Sequence, residues 1–179
     1  EGMTGDMAFN LKTYYTGEVR VKHADYDTYE RYNPMHLTVD WEAVDSALAK
    51  EDLVSAYVPR ITFPSNLYIG GSNFGAMGVG ADFEREALYQ DLEGSLKKGR
   101  IPENGKNEMM MGAILARDLK LEIGDKVTVM STTAARGTNA ITLEIVGLFA
   151  FPVGALNSKY FWVPLDRAQY FLRMDGGVQ

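Results

Sequence analysis

The stretch from Met111 to Val129 constrains the fold more than any other part of the chain. Met111, Ile114, Leu115 and Leu119 recur at the spacing of one helix face, while Arg117, Asp118 and Lys120 fall elsewhere. That face must be buried. Gly124 stands where a chain leaving a helix commonly needs positive φ, and Asp125 can hydrogen-bond local backbone across the turn. Val127 and Val129 then alternate with Lys126 and Thr128, the pattern of a strand with one face on a core and one in solvent. Helix, turn and half-buried strand in so short a span call for a sheet with helices packed against it.

The rest of the chain supplies material for that sheet. At 179 residues, 46% hydrophobic and 11% aromatic, it is long enough for one substantial core or two small lobes. Eighteen basic against 24 acidic side chains give a formal charge of −6, which disfavours nucleic acid and anionic membrane surfaces as partners. Lys97-Lys98-Gly99-Arg100 reads as a solvated loop. With no cysteine, disulfides and thiolate metal sites are excluded and either side of a membrane is permitted. The longest apolar run, Met109 to Ala116, is far shorter than the roughly 20 residues that span a bilayer. The chain starts at Glu1 without an initiator Met or signal peptide and ends in Asp175-Gly176-Gly177-Val178-Gln179 without an obvious final element, which reads as a soluble, excised domain.

In order along the chain, Glu18-Val19-Arg20-Val21-Lys22 alternates as a first strand. Tyr26, Tyr29 and Tyr32 lie three apart in the Asp-rich run Ala24–Pro34, read as an ordered loop that carries tyrosines on its surface, where they could meet a partner. Thr38 is a candidate N-cap for a helix running to about Lys50, with Trp41, Val44 and Leu48 on its sheet-facing side. Leu53 to Phe63 reads as a strand with Pro59 at an edge or bulge, completing a βαβ-like start. After Met130 the Ser131–Asn139 segment is turn-prone, and Ile141, Leu143 and Ile145 share a strand face. Gly147 suits a bulge or a close backbone approach, with Val146 and Leu148 in the opposite phase. Tyr160-Phe161-Trp162-Val163 forms a buried strand, and Pro164 starts a helix with Leu165, Ala168 and Leu172 inside, ended by Gly176-Gly177.

Candidates for chemistry fall away one by one. Gly70, Gly71, Gly75, Gly78 and Gly80 suggest a phosphate loop, but the following Ala76-Met77-Gly78-Val79 reads as strand, whereas phosphate cradles open a helix, so a hairpin fits better. Gly99 and Gly105-Lys106-Asn107 have five intervening residues and Asn where a P-loop has Ser or Thr. His23 and His36 have no zinc-ligand spacing. Ser158 and Lys159, adjacent on an extended chain, point to opposite faces and make no nucleophile–base dyad. No catalytic, cofactor-binding or metal residue is assigned.

The flanks of the central stretch carry a resemblance. The run Met-Gly-x-x-Leu-Ala-x-x-Leu-x-Leu-x-x-Gly-Asp-x-Val-x-Val from Met111, then Ile145-Val146-Gly147-Leu148-Phe149, then Val163-Pro164-Leu165-x-x-Ala168-Gln169, resembles the extracytoplasmic domain of FtsX-like ABC-transporter permeases of the MacB and LolC/LolE type. Gly99-Arg100-Ile101-Pro102 is similar to the family's Gly-Arg-x-Pro. Gly80-Ala81-Asp82-Phe83 is similar to its Gly-x-Asp-Pro turn, with Phe83 where proline is usual. The resemblance extends from about Gly17 to Gln169.

The resemblance implies an α+β fold: a discontinuous porter-like αβ lobe, residues 1–83 and 156–179, with a β-rich (Sabre-like) lobe, 84–155, inserted between. It implies a non-enzymatic domain at the extracytoplasmic face of the bacterial inner membrane, relaying ATP-driven motion in export or lipoprotein release. The implied partners are a cytoplasmic ATPase subunit or domain, a second permease copy, and a periplasmic protein or lipoprotein cargo. The alternative is a stand-alone secreted β-rich binding module or hydrolase. The transporter reading also expects Gly17 and Met174 at one end of the domain, with Gly105 and Ser131–Asn139 farther from the membrane.

Overall fold

A computed structural model describes residues 19–32 and 34–179. Its elements are α1 (Tyr26–Tyr29), β1 (Val39–Asp40), α2 (Trp41–Leu48), β2 (Arg60–Ile69), β3 (Ser72–Ala81), α3 (Phe83–Tyr89), α4 (Leu92–Ser95), β4 (Leu96–Gly99), β5 (Glu108–Gly112), α5 (Ala113–Leu119), β6 (Lys126–Thr132), β7 (Thr138–Phe149), α6 (Gly154–Lys159), β8 (Tyr160–Pro164), α7 (Leu165–Leu172) and β9 (Gly177–Val178), with a 3₁₀ turn at Glu30–Tyr32 after α1. Helices and strands mix in an α+β fold.

Seven strands form one sheet in the order β4-β7-β5-β8-β3-β2-β6, and β6 pairs back onto β7. The last pairing closes a ring of six strands and leaves β4 attached outside. Alternation decides what lies inside. Ile61, Phe63 and Leu67 of β2, Met109 and Met111 of β5, Val127 and Val129 of β6, and Phe161 and Val163 of β8 all join the larger core. Phe63 meets Phe161 and Phe171 edge-on at ring-centroid distances of 6.0 and 5.9 Å. Helix α7 crosses one mouth of the ring, where Ala168, Phe171 and Leu172 are buried, and Leu115 and Ala116 of α5 are buried in the same core. Residues of the opposite phase, Val79, Ala81, Met110 and Trp162, form a second core on the outer face with Phe149, Phe151 and Leu156.

The central stretch folds as the sequence indicates, with one shift. Helix α5 ends not at Gly124 but at Lys120, which takes the left-handed conformation at φ 57° while Leu121 N–H donates to the Ala116 carbonyl at 2.9 Å. Gly124, at φ 96°, serves the next turn, and Asp125 Oδ2 accepts from Glu122 N–H at 2.7 Å. The expected glycine-rich hairpin is present. Gly70 and Gly71 both have positive φ between Ile69 and Ser72, as a type I′ two-residue turn requires. Around Gly147 the β5–β7 register slips by one residue, so Leu143 and Ile145 face the ring interior while Phe149 joins the outer core. A Cβ on Gly147 would lie 2.3 Å from the Arg100 carbonyl, which is the close approach anticipated there.

The N-terminal reading needs correction. Residues 19–22 form no strand, and Val19 and Val21 are exposed, because no neighbouring strand pairs with them; Glu18 lies outside the described residues. Among the described residues there is accordingly no βαβ start. The tyrosine run is helical and not a loop: Tyr26 is buried, while Tyr29 and Tyr32 remain at the surface. Asp40, not Thr38, caps α2, its Oδ1 accepting from Ala43 N–H at 3.2 Å, and α2 ends at Leu48. The strand expected at Leu53–Phe63 begins only at Arg60 and continues through Pro64 to Ile69.

The C-terminal expectations also shift. Helix α7 stops at Arg173, in the left-handed conformation, before Gly176. Gly177 and Val178 then pair antiparallel with Asp40 and Val39, so the chain does have a final element. Strands from 1–83, 84–155 and 156–179 all join the same ring.

The two loops expected to lie away from the termini contact the C-terminal helix. Ala134 N–H and Asn139 Nδ2 donate to the Leu172 and Phe171 carbonyls at 2.9 Å each, and Gly105 N–H donates to Asp166 at 3.1 Å. Both loops therefore dock on α7, the 131–139 loop on its last-turn carbonyls and Gly105 on the Asp166 carboxylate of its first turn. Gly17, the other marker of that expectation, lies outside the described residues.

Candidate functional surfaces

Ser158 and Lys159, weighed as a dyad, are placed by the fold on a helix. Ser158 sits on α6, where its hydroxyl donates to the Ala155 carbonyl at 3.3 Å, and not on an extended segment. His23 is exposed beside Asp25 at 3.8 Å, and His36 lies at the other side of the tyrosine run. Among the described residues no three His, Cys, Asp or Glu side chains are grouped to hold a metal. Lys106 pairs with Glu103 at 2.6 Å across a surface turn.

Three other arrangements join distant segments. The first is a buried ion pair. Glu86 of α3, fully inaccessible, accepts from Arg60 Nε at 2.5 Å and Nη2 at 2.8 Å, and from Gln90 Nε2 at 2.7 Å. The guanidinium also lies over the Tyr89 and Trp162 rings, 5.8 and 5.3 Å from their centroids. This cluster fastens the outer helix α3 to the start of β2. The bidentate geometry is the one a carboxylate can satisfy best when removed from water.

The second holds α2 against the ring. Helix α2 has no fully buried residue, although Val39 and Trp41 touch the larger core. Arg85 of α3 lies 5.1 Å from the Trp41 ring centroid and 5.3 Å from that of Tyr57, and pairs with Asp45 at 2.8 Å and Asp82 at 3.6 Å. Together with the short β1–β9 ladder, these contacts form a mainly polar attachment, weaker per area than an apolar core. The stretch between α2 and β2 has no regular structure and exposes Leu53 almost completely.

The third is an open groove of about 540 Å³ where the start of β2 parts from the end of β6. Those strands pair only over Asn66–Tyr68 and Thr128–Met130. Pro64 has no N–H to extend the ladder, and Ser131 Oγ donates instead to the Pro64 carbonyl at 2.6 Å. Tyr29, Tyr32 and the Pro34–His36 turn form one wall, and Pro64 with the β6–β7 hairpin the other. Burial pushes the Tyr26 hydroxyl's pKa up, above its ordinary 10.0, so this ring anchors the segment as a neutral group. The surface tyrosines were legible in the sequence. The groove was not, since its second wall comes from a remote hairpin.

Comparison with known proteins places this architecture. Among solved structures, the extracellular domain of the noncanonic ABC-type transporter YknZ from Gram-positive bacteria superposes with a TM-score of 0.57 at 14% identity, over 79% of this chain and 73% of that one. The periplasmic region of MacB from Actinobacillus actinomycetemcomitans gives a TM-score of 0.54 at 17% identity, over 80% of this chain and 62% of that one. At such identities these matches bear on fold alone, and the chain spans less than two thirds of the MacB region. Comparison with curated protein sequences gives no match. The family model of the MacB-like periplasmic core domain, however, matches residues 1–178, so this chain belongs to the MacB-like periplasmic core domain family.

Proposed function

We propose that this chain, as the extracytoplasmic domain of a MacB-like ABC-transporter permease, relays ATP-driven movement from membrane helices to a partner or cargo outside the membrane. The observation that carries this reading is the family match over residues 1–178. The arrangement of parts supports it. A closed ring carries two packed cores, while the described residues before Arg60 attach through Met35, Val39 and Trp41 against the larger core, through Arg85, and through a two-residue ladder. Relay requires such a joint between a stiff body and a segment that can shift. The domain works without a catalytic centre, and ATP is bound and hydrolysed by a cytoplasmic ATPase subunit or domain acting on two permease copies. Cargo is a periplasmic protein, lipoprotein or smaller molecule.

The division into 1–83, 84–155 and 156–179 enters this proposal in restricted form. Strands from all three segments share the ring, so the part able to contribute to a separate porter-like lobe is the one before Arg60. No described helix is long and apolar enough to cross a membrane, so the membrane helices of this reading belong to a longer protein. The absence of cysteine from the chain makes the test direct. Leu53→Cys in the full-length permease, in intact cells, should react with a membrane-impermeant maleimide. With an environment-sensitive dye there, fluorescence should change on addition of ATP and vanadate to proteoliposomes holding the ATPase. Labelling only after the membrane is permeabilised would defeat the placement, and a nucleotide-independent signal would defeat the relay.

A further inference from the structure

The groove beside the tyrosine helix does nothing for the ring, and its composition identifies an occupant. We propose that it binds an extended polypeptide segment of a partner protein, one carrying apolar side chains next to at least one carboxylate. Tyr29 and Tyr32 are 50% and 66% exposed, although each ring is a large apolar surface with a polar tip. Side chains of this kind supply contact area at low entropic cost and are enriched at protein interfaces. Met35 and Pro64 continue the apolar lining.

The charge of the lining sets the second requirement. The chain as a whole carries −6, yet among the described residues no carboxylate lines the groove, whose ionisable cationic candidates are His36 and Arg136. Asp27 and Glu30, on the same helical run as the tyrosines, are already paired with Lys22 and Arg20. Arg136 lies at the tip of the β6–β7 hairpin, is exposed, and has no carboxylate partner among the described residues. A guanidinium lining the same groove as two exposed tyrosines, one of which already carries the Arg31 guanidinium over its ring, favours an anionic group embedded in an apolar segment, and the complementarity would speed encounter with such a partner.

Shape decides between a polypeptide and a small molecule. Small-molecule sites bury most of their ligand in a concavity, whereas this groove is only half enclosed and its tyrosines stand half or more in water. An extended chain crossing aromatic and proline side chains leaves one face solvated and still gains apolar contact, which is the recognition mode such grooves serve. This proposal does not depend on the transport reading.

The test is a selection of random dodecapeptides displayed on phage, panned on the full 179-residue chain and counter-selected on the Tyr29→Ala/Tyr32→Ala variant. Surviving peptides should combine apolar residues with Asp or Glu. Measured by fluorescence anisotropy, their affinity should fall at least about tenfold in the double variant, the scale of losing a hot-spot ring. Arg136→Glu should weaken the acidic peptides and reverse the preference between each peptide and its Lys-substituted counterpart. Both variants alter exposed side chains, and an unchanged thermal midpoint confirms folding; should the tyrosine variant melt lower, Arg136→Glu alone decides. Failure to recover any peptide that survives counter-selection, enrichment of basic sequences, or equal binding to parent and Arg136→Glu would overturn the proposal. Maleimide labelling at Leu53→Cys fails or succeeds independently of all three.

Discussion

Removing the Glu86 carboxylate should be the most costly single change outside the apolar cores. In Glu86→Ala the Arg60 guanidinium loses two hydrogen bonds, at 2.5 and 2.8 Å, and Gln90 loses one at 2.7 Å, in a site with no access to water at Glu86. Breaking a buried pair by deleting one partner costs about 3–5 kcal/mol, and the surviving guanidinium, only 16% exposed, loses its carboxylate. For a domain of this size each kcal/mol moves the midpoint by about 2–4 °C, so the variant should melt roughly 6–20 °C lower. Replacing the whole cluster isolates the cause. Arg60→Met/Glu86→Leu/Gln90→Leu removes the charged pair and its glutamine donor together and should lie closer to the parent than the single variant does. Urea denaturation of parent, single and triple variants, with m held constant, measures both. A single variant costing under about 1 kcal/mol, or a triple variant as unstable as the single, would refute the assignment of the penalty to an unpaired buried charge.

Three further outcomes follow from the structure. Gly124 has φ 96°, and a Cβ added there would meet nothing within 4 Å, so Gly124→Val should lose about 1–3 kcal/mol through backbone strain alone, and a midpoint equal to the parent's would refute the turn assignment. Arg85→Ala should raise amide exchange across α2 while leaving β2 and β3 protected, since that side chain joins Asp45, Trp41 and Tyr57; unchanged exchange in α2 would mean the attachment lies elsewhere. Glu108 is held below its ordinary pKa, first by its hydrogen bonds with Arg100 at 2.6 and 2.8 Å. Its stabilisation is therefore present above the unfolded value near 4.5 and lost as pH falls through the lower folded value, so the stability gap between parent and Glu108→Gln should close on acidification; a gap that stays unchanged as pH falls from 4.5 through the folded value contradicts the linkage.

Local periodicity and turn chemistry determined much of this protein from the sequence alone. The helix and strand around Gly124, the Gly70-Gly71 hairpin, the slip at Gly147 and the buried strand Tyr160–Val163 each depend on residues adjacent in the chain, so their signals survive without tertiary context. Val19 and Val21 had the same alternation and failed, because alternation makes a strand only where another strand supplies its hydrogen bonds. Thr38 and Asp40 were equally capable of capping, and the backbone chose Asp40. Lys120 and Arg173 end helices at positive φ without the glycine that would have announced it. Only the tertiary structure decided that β6 returns to β7 and closes the ring, that α7 covers one mouth, and that Pro64 meets the hairpin at 132–136 beside the tyrosines. Those contacts join residues far apart in sequence, and no local pattern encodes which remote partner completes a strand's ladder or the second wall of a groove.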